Sequence, residues 1–204
     1  MGNSYKLKTF ENVGYNAVGK IIIMVFQLAA NIVLARNLAS SDYGIAGIAM
    51  MVTGFLTKFS EMGIQAAAVQ SERLDDKGLY TAFTLKAALG LSVFAVTLTL
   101  SPLAGSLFHN GAVEKVVRLL SLNFAMNSFA FLPSVMLLRD LDYRKLFVPQ
   151  VASSVVNSLL SILLARSGYG YWSIILANVV STVVAVALIN AVRPVKVRFL
   201  YDSK

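Results

Sequence analysis

Six long apolar stretches fill almost the whole 204-residue chain, and the charged residues gather in the short gaps between them. A helix needs about 20 mainly apolar residues to cross roughly 30 Å of hydrocarbon. The stretches fall near residues 12–35, 43–69, 79–108, 112–138, 146–165 and 171–192. The connectors RNLASSD, SERLDDKG, HNG, RDLDYRK and RSGYG are too short to hold a soluble domain, so successive spans become antiparallel neighbours. Only 14% of the residues are charged, against roughly 25% in a soluble domain. The chain therefore reads as all-α, a polytopic membrane bundle of six transmembrane helices forming one unit over 1–204.

The net charge of +8 does not point to nucleic acid, because the basic residues flank apolar runs. Their distribution sets orientation instead. Eleven Lys and Arg, from Lys6 and Lys8 through Arg73, Arg139 and Arg144 to Lys204, lie at one set of span ends. Four, Arg36, Lys115, Arg118 and Arg166, lie at the other. Both termini are therefore expected in the cytoplasm. Tyr169, Tyr171 and Trp172 bunch at the start of the sixth span as an interfacial aromatic anchor. Pro102, Pro133 and Pro149 are expected to bend their helices.

Several functions are excluded on residue chemistry. There is no cysteine and one histidine, His109, which leaves no disulfide framework and no His-rich metal site. The start MGNSYK has Lys6 where myristoylation wants Ser or Thr, and no small-residue cleavage site follows a compact apolar core. No HExxH, GxSxG, Walker loop or catalytic carboxylate pair is present, so neither enzymatic chemistry nor ATP hydrolysis is expected, and no cofactor or metal.

Polar residues recur on the spans at helical spacing. The first span carries Asn12, Asn16, Lys20, Gln27 and Asn31, and the second Gly54, Lys58, Glu61 and Gln65. Lys86, Gly90, Thr97 and Ser101 follow on the third, and Asn123, Asn127 and Ser134 on the fourth. The fifth has Gln150, Ser154, Asn157 and Ser161, and the sixth Asn178, Thr182 and the small Ala185. Small and amide side chains glue membrane helices together, at about 0.6 kcal/mol per pair. Glue explains the Ser-rich fifth span better than it explains three lysines. A charge near the bilayer centre costs at least ~2.5 kcal/mol, so it faces protein or a wet cavity. Lys20 and Lys86 can also reach the interface with their long stems. Lys58 lies deeper, with Glu61 at i+3 to pair with it, or to act as a proton or cation site. The expected substrate-facing residues are Asn16, Lys20, Gln27, Asn31, Lys58, Lys86, Asn123 and Asn127, with Glu61 as the ion-coupling candidate.

Four stretches carry a family resemblance: LARNLASSDYG, FSEMGIQAAAVQ, LLRDLDYRKL and SGYGYWSIILAN. In this order and spacing they resemble the N-terminal part of bacterial polysaccharide exporters of the O-antigen and capsule flippase type. These belong to the multidrug/oligosaccharidyl-lipid/polysaccharide flippase superfamily. The resemblance implies an inner-membrane protein of two six-helix lobes that rock about a central cavity. It implies a lipid-linked oligosaccharide, a polyprenyl-pyrophosphate sugar, as the partner moved across the membrane. This chain matches one lobe, so a second lobe or a homodimer partner is expected. A cation-coupled small-molecule antiporter of the same superfamily, using Glu61, is the first alternative. A non-transporting truncated or structural membrane module is the second.

Overall fold

A computed structural model of the chain describes residues 2–61, 68 and 76–195, with side chains for 18–58, 60, 68 and 78–195. Seven helices run through the described residues: α1 (Gly2–Asn37), α2 (Ser40–Glu61), α3 (Asp76–Leu107), α4 (Gly111–Leu120), α5 (Leu122–Arg139), α6 (Tyr143–Arg166) and α7 (Trp172–Val192). This is an all-α membrane bundle. Five segments are long and apolar enough to cross a bilayer: 18–37, 78–107, 111–139, 143–166 and 172–192. The remaining expected span, 43–69, begins as α2, and its part beyond Glu61 lies outside the described residues apart from Ala68.

The first helix covers Gly2–Asn37, and its bilayer-length apolar part is 18–37. The fourth expected span, 112–138, falls within the apolar segment 111–139 and is made of two helices. It is jointed at Ser121, between α4 and α5. The Ser121 hydroxyl donates to the Arg118 carbonyl at 2.7 Å, and the Phe124 amide closes a tighter three-residue turn onto the Ser121 carbonyl at 3.0 Å. A serine hydroxyl that competes for backbone carbonyls is a known source of such a local bend.

Packing follows from small residues and apolar faces. α1 lies mainly on α6, α6 on α7, α7 on α5, α5 on α3, and α2 on α4. Gly19 of α1 sits under the Phe147 ring of α6, where a Cβ would come within 1.7 Å of the ring. Gly90 lets α3 approach α5 closely, against Ser128 and the Phe124 carbonyl. A dry junction joins Ala46 and Ala49 of α2 to Val113, Val116, Val117 and Leu120 of α4 and to Ile175 and Val179 of α7. A second packs Leu79 and Phe83 of α3 on Phe131, Leu132 and Val135 of α5. Lipid tails are as apolar as these side chains, so close packing and cross-helix hydrogen bonds hold the helices together.

The loops are fastened by specific polar contacts. Asp42, in the first turn of α2, accepts from the Ala39 amide at 3.0 Å and from the Tyr171 amide at 3.2 Å. Gly170 precedes Tyr171 with φ of 55°, a left-handed conformation that favours glycine, and Asp42 lies against it. Asp142 caps α6 through the Lys145 amide, and its carboxylate meets the Lys145 ammonium at 2.7 Å. That hydrogen-bonded side chain holds the Asp142 carboxyl below the usual carboxylate range. Asp140 pairs with Arg193 at 3.2 Å, tying the end of α5 to the end of α7.

Candidate functional site: a groove along the second helix

One face of α2 lines three successive cavities. At 100° per residue, Tyr43, Ala46, Gly47, Met50, Thr53, Gly54, Thr57 and Ser60 share that face. The first cavity, about 260 Å³, is walled by Thr57 and Ser60 of α2, Lys86 of α3, and Phe124, Asn127, Ala130, Phe131 and Ser134 of α5. The middle cavity, about 290 Å³, uses Met50, Thr53, Gly54 and Thr57 of α2, Leu120, Asn123, Phe124 and Asn127 of α4 and α5, and Asn178 and Thr182 of α7. The third, about 340 Å³, takes Gln27, Ala30, Asn31 and Leu34 from α1 and Tyr43, Ala46, Gly47 and Met50 from α2. Asn157, Ser158 and Ser161 of α6 and Ile174 of α7 complete it. Thr57, Phe124 and Asn127 are common to the first two, and Met50 to the last two. The three therefore form one groove that follows α2 from its last turn to its first.

The sequence keeps this face open with glycine. A Cβ added at Gly47 or Gly54 would meet nothing within 4 Å. The threonine protons are satisfied on their own helix. Thr53 donates to the Ala49 carbonyl at 2.9 Å and Thr57 to the Thr53 carbonyl at 2.8 Å.

The charged end of the groove is built around Lys86. Its ammonium donates to the Ser60 carbonyl at 2.5 Å and lies 3.5 Å from the Ser60 hydroxyl. Ser60 is near the end of the described part of α2, so this contact ties α3 to α2 there. Ser128 reaches the Lys86 carbonyl at 3.4 Å and so braces that part of α3 from α5. In the middle cavity Asn123 Nδ2 donates to Asn178 Oδ1 at 2.9 Å across α5 and α7. The other end of that amide, Asn123 Oδ1, is enclosed and accepts nothing among the described residues. In the third cavity Asn157 donates to the Ser181 hydroxyl at 3.2 Å, and the Ser158 hydroxyl is enclosed without a partner among the described residues.

The sequence-based candidates separate into three sets. Gln27, Asn31, Lys86, Asn123 and Asn127 line the groove. Lys20 and Lys58 are exposed and line none of the three cavities. The side chains of Asn16 and Glu61 lie outside the described residues, as does Gln65 altogether. On α2 the open face passes through Thr53, Thr57 and Ser60, with Lys58 at its edge. Sequence reasoning missed these three hydroxyls. Their recurrence with Gly47, Met50 and Gly54 at spacings of three and four was the available signal. On α3 the expected stripe is mostly seam. Gly90 packs on α5, and Thr97 and Ser101 are buried with their hydroxyls on their own helix carbonyls. Only Lys86 of that stripe reaches the groove.

The family model described as polysaccharide biosynthesis protein matches residues 33–204. The succinoglycan biosynthesis transport protein ExoT of Rhizobium meliloti (strain 1021) is 28% identical across 94% of this chain and 39% of its own length. The lipopolysaccharide biosynthesis protein WzxC of Escherichia coli (strain K12) is 23% identical across 70% of this chain and 29% of its own. An uncharacterized membrane protein in the cps region of Klebsiella pneumoniae is 25% identical across 59% of this chain and 25% of its own. The chain thus spans well under half the length of these relatives. No solved structure matches. With its membrane-spanning helices and a family match over most of its length, the chain is a multi-pass membrane protein that belongs to the polysaccharide biosynthesis protein family.

Proposed function

We propose that this chain forms one lobe of a transporter that moves a lipid-linked oligosaccharide across the bacterial inner membrane for surface polysaccharide assembly. The relatives named for succinoglycan transport and lipopolysaccharide biosynthesis support that direction. The observation that carries it is the groove along α2, polar inside a membrane bundle and cationic at one end. A polyprenyl-pyrophosphate sugar needs a path for an anion and for a hydrated glycan, while its tail stays in lipid.

With both termini in the cytoplasm, the last turn of α2 and the start of α3 face that side. Lys86 is ten residues into α3, about 15 Å from its start. The cationic end then lies where the substrate enters. Lys86 offsets pyrophosphate charge, with Ser60, Ser134 and Thr57 around it. A second lobe, or a second copy of this chain, closes the open side, and rocking of the two alternates access. The chemistry is transport without bond making or breaking in this chain.

Surface polysaccharide measured in cells carrying wild-type or substituted protein tests the reading. Lys86→Gln and Gly54→Leu are expected to cut export at least tenfold with normal membrane insertion. Lys20→Gln and Lys58→Gln, off the groove, are expected to leave it within about twofold. Unchanged export in both Lys86→Gln and Gly54→Leu would sink the proposal.

A further inference from the structure

The middle cavity differs from its neighbour in what its wall can offer a ligand. Among the described residues that line it, none carries a charge. Its polarity comes from Thr53, Thr57, Thr182, Asn123, Asn127 and Asn178. Their hydrogen-bond capacity is unevenly spent. Thr53 and Thr57 each give their proton to a carbonyl of α2. Thr182 gives its proton to the Asn178 carbonyl at 3.0 Å. Asn123 gives an amide proton to Asn178. Each of the three hydroxyl oxygens retains acceptor capacity once its proton is committed. Asn123 Oδ1 adds an acceptor already withdrawn from solvent and left unmatched. Such a group costs free energy until a donor reaches it.

The amides of Asn123, Asn127 and Asn178 add N–H donors, so the wall offers both donors and acceptors and no charge. A sugar hydroxyl both donates and accepts and fits such a wall, whereas a pyrophosphate favours a cation, which stands at Lys86 in the neighbouring cavity. We infer that the middle cavity is a hydroxyl-reading subsite that holds the first sugar of the substrate, while the pyrophosphate is held at Lys86. The two subsites share Thr57, Phe124 and Asn127, so one molecule can occupy both. From Ser60 to Thr53 is two turns of α2, about 10 Å, which sets the substrate's register in the groove. This assignment rests on the proposed function and adds to it the order in which the head group lies.

Binding to the chain in lipid nanodiscs tests it, with three probes: farnesyl pyrophosphate, its glucosylated form, and that form with every hydroxyl methylated. Wild type is expected to bind the glucosylated probe about tenfold more tightly than the bare one, and the methylated probe no better than the bare one. The double variant Thr53→Val, Thr182→Val keeps side-chain shape and removes two acceptors. It is expected to lose the tenfold advantage while its affinity for the bare probe is unchanged. Asn178→Leu is expected to do the same, whereas Lys86→Gln weakens all three probes alike. If Asn123 and Asn178 only join helices, Asn178→Leu lowers thermal stability and leaves the sugar preference intact, and the subsite is wrong. Equal binding of methylated and free sugar, or a full preference in the valine double variant, also overturns it. A chain that binds bare and glucosylated probes alike through Lys86 overturns the subsite and spares the anion site. Binding of none of the probes overturns both.

Discussion

Gly90 and Gly54 are the same residue in the middle of neighbouring helices, and they serve opposite ends. At Gly90 a Cβ would stand 2.0 Å from the Ser128 hydroxyl and 2.8 Å from the Phe124 carbonyl. At Gly54 it would meet nothing within 4 Å. The first glycine removes a side chain so that two backbones can approach. The second removes one so that space remains. A small residue in a membrane helix thus has two physical meanings, and only its neighbours decide between them.

Alanine at each position separates the two. Gly90→Ala forces the Phe124 backbone to move, and overpacking of that kind costs about 1–3 kcal/mol. Gly54→Ala meets no obstacle and removes backbone freedom from the unfolded chain, which is worth about 0.5 kcal/mol in favour of folding. Thermal unfolding in one detergent should move the two variants in opposite directions. Equal shifts would erase the contrast between the α3–α5 seam and the groove face of α2.

The next largest effect concerns the latch at the far end of that face. Asp42 joins the α1–α2 turn to the α6–α7 turn through the Ala39 and Tyr171 amides. Loss of such a cap costs about 1–2 kcal/mol. Asp42→Ala should lower stability by that much, and Asp42→Asn, which can still accept, by markedly less. An Asp42→Ala variant as stable as wild type would show that α2 is held by its dry junction with α4 alone.

How much of this was visible in the chain depends on the length scale of the signal. The spans were legible because an apolar stretch of bilayer length has few other fates, and five expected spans have described segments that meet that criterion. The resemblance segments were legible too, and the loop contacts give a physical reason for three of them. SSDYG and SGYGYW meet at the Asp42 latch, and RDLDYRK supplies the Asp142 cap and the Asp140 pair with Arg193. The groove was only partly legible. Asn123, Asn127 and Lys86 stood out because amides and charges are costly in lipid. Thr53, Thr57 and Ser60 did not, since a hydroxyl bonded to its own helix looks the same in a seam or on a wall. Lys58 stands one residue from Thr57, a 100° turn away. A periodicity argument with a few residues per stripe does not resolve that difference. The joint at Ser121 depends on one hydroxyl choosing the Arg118 carbonyl, which no pattern of apolar residues encodes.

A smaller effect tests a loop well away from the groove. The depressed Asp142 carboxyl contributes stability that is present above its unfolded value near about 3.9 and is lost as pH falls through its lower folded value. The pair with Lys145 is largely exposed, so solvent screening holds the ionic part to about 0.5 kcal/mol. The cap brings the total for Asp142→Ala to about 1 kcal/mol at neutral pH. Asp142→Asn should keep most of the cap and flatten the acid side of the stability curve between about pH 4 and pH 2. A wild-type curve already flat there would remove the charge from the account.

The smallest effect returns to the contrast between seam and groove, on one helix. Asn178 and Asn190 are both amides of α7. Asn190 donates to the Phe129 carbonyl of α5 at 3.2 Å and to the Val186 carbonyl of its own helix at 2.8 Å, and it lines none of the three cavities. Its cross-helix bond is worth about 0.6 kcal/mol in a membrane setting. Asn190→Leu should therefore cost that much stability and leave probe binding untouched. Asn178→Leu should cost a similar amount and also lose the sugar preference, because its partner Asn123 stands on the cavity wall. Two substitutions of identical chemistry, matched in stability and split in binding, would separate an amide that joins helices from one that also serves a ligand. Matched behaviour in both measurements would reduce the α7 amides to glue.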